Sequence, residues 1–191
     1  MTLRPTLPAD VLGVPTTYRT RPDYCGPAVI RALLRYWTGQ ELDEAAIAHE
    51  LQTTHEAGTP PEALVTLLAH RGFQVELRQQ CSLEDLRIAL GHGRTVVIDF
   101  QAWPETDHPA DQPSSGDDGH YVILIGIDEC YLYLMDPSLE HGYGYVAIED
   151  FEPRWYDVNA IKRYDRAAIF VEGQTPHPVA ITGNEPLTVI P

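Results

Sequence analysis

The stretch PDYCGPAVIRALLRYW, residues 22–37, poses a structural question and a chemical one. Val29, Ala32, Leu33, Tyr36 and Trp37 recur at three- and four-residue spacing, which predicts a helix. Pro27 suits its first turn and Gly39 its C-terminal stop. The start of that helix falls on Cys25. A cysteine there is either a buried core thiol, the usual fate of free cysteine, or a nucleophile. Unsatisfied backbone N–H groups and the positive end of the helix dipole favour a thiolate at this place. The same N–H groups suit a developing oxyanion. Gly26 is expected to let a substrate backbone come close.

Working outward, residues 1–21 hold Pro5, Pro8 and Pro15 and read as extended. A second helix is predicted over 43–52. A third opens at TPPE, where Thr59 and Glu62 fit a capping box, and stops at Gly72. Residues 73–79 alternate like a short strand, and a fourth helix runs from Ser82 to Gly91. The character then changes. Segments 94–101, 121–127, 131–136, 143–148 and 167–172 are rich in Val, Ile, Tyr and Phe and read as strands. Helices first and strands second indicate an α+β domain with N-terminal helices packed on an antiparallel sheet. Residues 1–173 form the expected single domain, and 174–191 a Pro-containing tail that packs loosely or serves as an arm.

Composition narrows the function. The 191 residues suit one domain with a real core. A net charge of −15 argues against nucleic acid or an anionic membrane as partner, and no run approaches a membrane span. No signal peptide is expected. Three cysteines without a C-x-x-C argue against a disulfide framework or structural zinc and suit a reducing, cytoplasmic compartment.

A nucleophilic thiol needs a base, and the base needs an orienting group. Of eight histidines, His49, His55, His70, His92, His141 and His177 read as surface residues. His120 differs, because it stands at the mouth of the apolar strand YVILIGI, just after Gly119. Asp136 ends the next strand. A hairpin register centred on Asp128 would set His120 directly opposite Asp136, with Cβ atoms about 4.5–5.5 Å apart. A slip of one residue would put them on opposite faces. The plain alternative for Asp136-Pro137 is a turn.

DYCGPA opening a helix, GHYVILIGID entering a strand, and YLMDPS after it resemble a known family. These are the papain-like cysteine peptidases that process the double-glycine leader peptides of bacteriocins, with their stand-alone relatives. The likeness runs from about Val14 to Phe170. It implies a papain-like fold, with Cys25 as nucleophile, His120 as general base and Asp136 as orienting acid. The family carries a Gln before the Cys whose amide completes the oxyanion hole. Here that segment reads TYRTRPDY, which leaves Arg19 and Thr20 as oxyanion candidates. Tyr24, Gly26, Trp103 and Gly119 are candidates for the cleft or its lid, and Trp155 for an aromatic wall or the core.

The expected function is therefore a thiol hydrolase acting on a peptide or other amide bond, with no cofactor. Acyl transfer to an amine shares the same acyl-enzyme. The alternative, motivated by the missing Gln, is a weak or inactive relative that binds peptides in the same cleft. The long loop 102–119 holds Asp107, His108, Asp111, Asp117 and Asp118, but its spacing fits no standard metal site and it reads as a solvated acidic lid. Cys81 and Cys130 are not expected to react.

Overall fold

The computed structural model describes residues 5–103, 119–159 and 161–191. Cys25–Thr38 forms α1, which ends on Gly39 in the left-handed region at φ 69°, its N–H bonded to the Arg35 carbonyl. Only glycine takes that conformation without strain. Ala28, Ile30 and Leu34 are buried as well as the expected stripe, because α1 is enclosed nearly all round. Glu44–Glu50 forms α2, capped by the Asp43 side chain on Ala46 N–H, and Pro61–His70 forms α3.

The strands are β1 (Gln74–Arg78), β2 (Thr95–Gln101), β3 (Gly119–Ile127), β4 (Tyr131–Met135) and β5 (Tyr143–Ala147), with α4 (Leu83–Gly91) between β1 and β2. After β5 come α5 (Ile148–Phe151), a 3-10 turn, β6 (Tyr156–Val158), β7 (Arg163–Asp165), β8 (Ala168–Glu172) and β9 (Thr188–Val189). The main sheet has the order β1-β8-β2-β3-β4-β5-β9 and is antiparallel except where β9 meets β5. A separate pair, β6 and β7, stands beside it.

The N-terminal helices pack on one face of the sheet, as expected. Val29 and Leu33 of α1 and Leu64 and Leu68 of α3 meet Val97, Ile123 and Ile169 there. The other face is covered too: Leu86 and Ala89 of α4, with Phe151 and Trp155, meet Val96, Ile98 and Leu134. Every residue of β2 is therefore buried, and β3 is buried but for its ends, which is why both read as apolar runs. No helix among the described residues is long and apolar enough to cross a membrane.

Three local expectations need correction. Near the turn the β3–β4 hairpin pairs Ile127 with Leu132 and Gly126 with Tyr133; beyond a bulge it pairs Leu124 with Leu134 and Ile123 with Met135. Continued, that register sets Asp136 opposite Val122, so His120 and Asp136 are diagonal rather than direct neighbours. The bulge is what keeps them on one face, since the register at the turn would have separated them. Its extra residue, Ile125, gives its carbonyl to the Leu12 N–H. Second, Thr59 does not cap α3. Pro60 holds the cap position, Pro61 opens the helix, and the Thr59 hydroxyl bonds Thr53 instead. Glu62 binds Lys162 and Tyr164. Third, the tail is held at separate points rather than packed loosely: His177 N–H meets the Tyr36 carbonyl, Val179 N–H that of Gly13, and β9 extends the sheet with Ile190 buried.

The capping box forms at a different helix from the one expected. Ser82 and Asp85 make a reciprocal capping box at α4, through Ser82 Oγ on Asp85 N–H at 3.1 Å and Asp85 Oδ2 on Ser82 N–H at 2.7 Å. Ser82→Ala should lower stability by about 1 kcal/mol. A thermal melt should show a fall of about 2–4 °C; no shift would mean that the box contributes nothing.

Candidate active site

Cys25 is the first residue of α1, and Tyr24 before it offers no side-chain cap. The first-turn N–H groups are thus not taken up by a capping side chain. The thiol is half-buried, and the His120 ring is near enough for its charge and hydrogen-bonding capacity to act on the sulfur. His120 Nε2 lies 2.6 Å from Asp136 Oδ1, with His120 4% and Asp136 0% exposed. With Nε2 on the carboxylate, Nδ1 is the nitrogen left for sulfur. α1 thus brings the thiol, β3 the imidazole and the end of β4 the carboxylate.

Asp136 is surrounded by donors. Oδ1 also accepts from Ser138 N–H at 2.7 Å, and Oδ2 from Trp103 Nε1 at 3.1 Å. Burial pushes its carboxyl up, but the charge and hydrogen bond of His120, with Ser138 and Trp103, hold it below the usual range. Burial likewise opposes the imidazolium, yet Asp136 and Cys25 raise His120 to about 10. For Cys25, burial pushes the thiol up, and the hydrogen bond and charge of His120, the Tyr121 backbone N–H and the Arg19 guanidinium bring it below its ordinary value. The three shifts agree in direction: each favours negative charge on the sulfur and positive charge on the imidazole.

The other candidates divide. Arg19 is placed where its charge acts on Cys25; its backbone N–H bonds the Pro137 carbonyl at 2.9 Å and Nη1 the Pro22 carbonyl at 2.7 Å. Thr20 turns away, its hydroxyl and N–H both on Glu44 Oε2. Gly26 does not open a path for substrate. It is buried, and a Cβ there would meet Thr59 Oγ1 at 2.7 Å. Gly119 is likewise packed, against Asp157 Oδ1. Tyr24 stacks under Arg21 at 4.8 Å and lines a shallow groove with Ala48, His49 and Thr53. Trp155 belongs to the core and donates to the Ala167 carbonyl. The acidic loop and the metal question attached to it fall on 104–118, outside the described residues.

Two residues beside the site went unread in the sequence. Asp99 lies buried on β2 opposite Tyr121, bonded to Asp157. Burial, Asp157 and the Cys25 charge push its carboxyl well up, against the pull of His120. A charge inside the run VVIDF was the available signal. Ser138, whose Oγ is 3.3 Å from His120 Nε2, carried none.

Against known proteins, the model of the Peptidase_C39 like family matches residues 11–162. The chain belongs to that family. No curated protein matches it. Among solved structures, the peptidase domain of Streptococcus ComA, a bi-functional ABC transporter involved in quorum sensing, superposes with TM-score 0.60 at 16% identity, over 84% of this chain and 99% of that one. A putative C39-like peptidase from Bacillus anthracis gives 0.60 at 18%, over 86% and 98%. A double glycine motif protease from an AMS/PCAT transporter, in complex with the leader peptide, gives 0.58 at 13%, over 87% and 96%. The papain-like fold of these C39 domains is the fold of this chain, so the expected resemblance holds.

The electrostatics predict selective alkylation. With its thiol lowered and His120 raised to about 10, Cys25 should react with iodoacetamide at pH 6–7 before Cys130, which is exposed, and Cys81, which is 2% exposed and pushed up by burial. His120→Ala should move the Cys25 rate profile to higher pH. Peptide mapping by mass spectrometry reads both; equal labelling of Cys25 and Cys130 would contradict an activated thiol.

Proposed function

We propose that this family member is a cysteine peptidase-like hydrolase that cleaves a peptide or other amide bond through Cys25, His120 and Asp136. The observation that carries the reading is the His120 imidazole held on a buried carboxylate while its charge acts on a thiol at the start of α1. Residues 1–173 act as the peptidase domain, with 174–191 as an arm along it. The free thiols suit a reducing cytoplasm.

The Cys25 thiolate attacks the carbonyl carbon, and the C=O pair moves onto oxygen. Backbone N–H groups at the start of α1 face that oxyanion. His120 gives its Nδ1 proton to the leaving nitrogen as the C–N bond breaks, leaving a thioester. Water then attacks, His120 takes its proton back, and the thiolate departs. Asp136 keeps Nε2 protonated and the ring aimed throughout. A peptide substrate is supported by family membership and by the leader peptide held in one solved structure of this fold.

Cys25→Ser and His120→Ala should each abolish thiol-dependent turnover of peptides with the circular dichroism unchanged. Asp136→Asn should retain a measurable fraction, since an amide oxygen can still accept from Nε2. Full activity in Cys25→Ser would refute the mechanism.

Arg19 is the side-chain donor we assign to the oxyanion in place of the family's Gln. A guanidinium is a charged donor already close enough to act on Cys25. Thr20 is excluded because its hydroxyl is committed to Glu44. Arg19→Ala should lower kcat by about 10²–10³, Arg19→Gln should recover much of it, and Thr20→Ala should leave kcat unchanged. A kcat unmoved in Arg19→Ala would remove Arg19 from the site.

A further inference from the structure

Two buried oxygens on β2 are left without donors. Alternation along β2 turns Val97, Asp99 and Gln101 to the face that α1 covers. Asp99 and Gln101 are each 5% exposed. Among the described residues, Asp99 Oδ1 and Gln101 Oε1 have no hydrogen-bond partner. The Gln101 amide is not free to turn over and cure this. Its Nε2 donates to Asp157 Oδ1 and to the Tyr156 carbonyl, both at 3.2 Å, and a flipped amide would set oxygen against two acceptors. Asp99 uses its carboxyl once, on Asp157.

Their place in the sheet makes these oxygens relevant to the chemistry. Asp99 pairs with Tyr121 and Gln101 with Gly119, so the two flank the strand position opposite His120. The charge of Cys25 reaches Asp99. No lysine or arginine among the described residues forms an ion pair with Asp99. Buried acceptors are almost always met, and a fold with no use for them would place apolar side chains here. A group that brings N–H or O–H donors would meet both oxygens, and positive charge suits it, because Asp157 adds a second carboxyl beside them. An ammonium fits that description, with three N–H donors.

We propose that Asp99 and Gln101 form a subsite for the positively charged nitrogen of a peptide substrate, beside the bond that Cys25 attacks. The nitrogen belongs to a lysine or arginine side chain or to the α-ammonium of a chain end. Asp157 braces both residues from behind. The net charge of −15 favours the approach of basic peptides. The inference rests on the peptidase reading and adds its specificity.

Peptidyl chloromethyl ketones test it on the intact protein. The Cys25 sulfur attacks the CH2 carbon, a C–S bond forms and chloride leaves with the C–Cl pair. Inactivation rates are compared for lysine and norleucine at each of the two positions before the ketone, with free and acetylated N termini. Each is normalised to the iodoacetamide rate, which reports the thiol alone. A cationic reagent should react about 10–100-fold faster than its neutral counterpart, the range of one hydrogen bond to a charged group. A gain from lysine assigns a side chain to the subsite, and a gain confined to free N termini assigns a chain end. Asp99→Asn and Gln101→Met should each bring the preference toward unity while iodoacetamide still reacts. Equal rates for all reagents on a reactive Cys25 would overturn the subsite, leaving the oxygens to water. A preference that survives both substitutions would overturn it as well. A Cys25 inert to iodoacetamide would overturn the peptidase reading itself, and the subsite with it.

Discussion

A carboxylate with no exposed surface must be enclosed by donors, and the site is arranged around meeting that need at Asp136. An ionised carboxylate buried alone would be protonated instead. His120, Ser138 and Trp103 supply the donors, from β3, from the turn after β4 and from the end of β2. Three elements that meet at one end of the sheet are thereby tied together by a single side chain. Trp103 takes a positive φ of 55° at that point, a conformation uncommon outside glycine, while its ring nitrogen reaches Asp136. The carboxylate therefore orients the imidazole and also fixes how β2 ends.

The sheet must deliver two side chains to one side while being buried on both. In β2 and β3, which apolar cores cover on each face, a polar residue is tolerated only at the end of a strand or with a bonded neighbour. His120, near the start of β3, takes the first option, and Asp99 the second. The bulge at Ile125 reconciles a hairpin turn of one register with a site that needs another. Its cost is held down because the freed carbonyl finds Leu12 in the extended N-terminal segment.

Much of this was legible in the residues. The period of α1, its Gly39 stop and the apolar runs of β2 and β3 follow from local rules that tertiary packing did not override. Cys25, His120 and Asp136 could be chosen because each stands at the boundary of a strongly patterned element. What was not legible depended on contacts distant in sequence. The β3–β4 register turned on a bulge that no residue type announces. Thr59 has the spacing of a cap, but Thr53 and Tyr121 claim it and two prolines shift the helix start. Gly26 and Gly119 read as openings because sequence shows a missing side chain and not the neighbour that fills its space. Elements of two to four residues, such as α5, β6, β7 and β9, are too short to carry a period.

The thiolate also has to exist within a chain of net charge −15. Distance resolves the conflict. At physiological salt, exposed charges beyond about 8 Å are largely screened, so most of that excess does not reach sulfur. What remains is the immediate ring of groups. His120, the Tyr121 N–H, Arg19 and the open start of α1 all favour negative charge on Cys25. Asp99, whose carboxyl feels the Cys25 charge, would oppose it if ionised. Its burial and the neighbouring Asp157 push its carboxyl well up, which favours the neutral acid beside a charged sulfur.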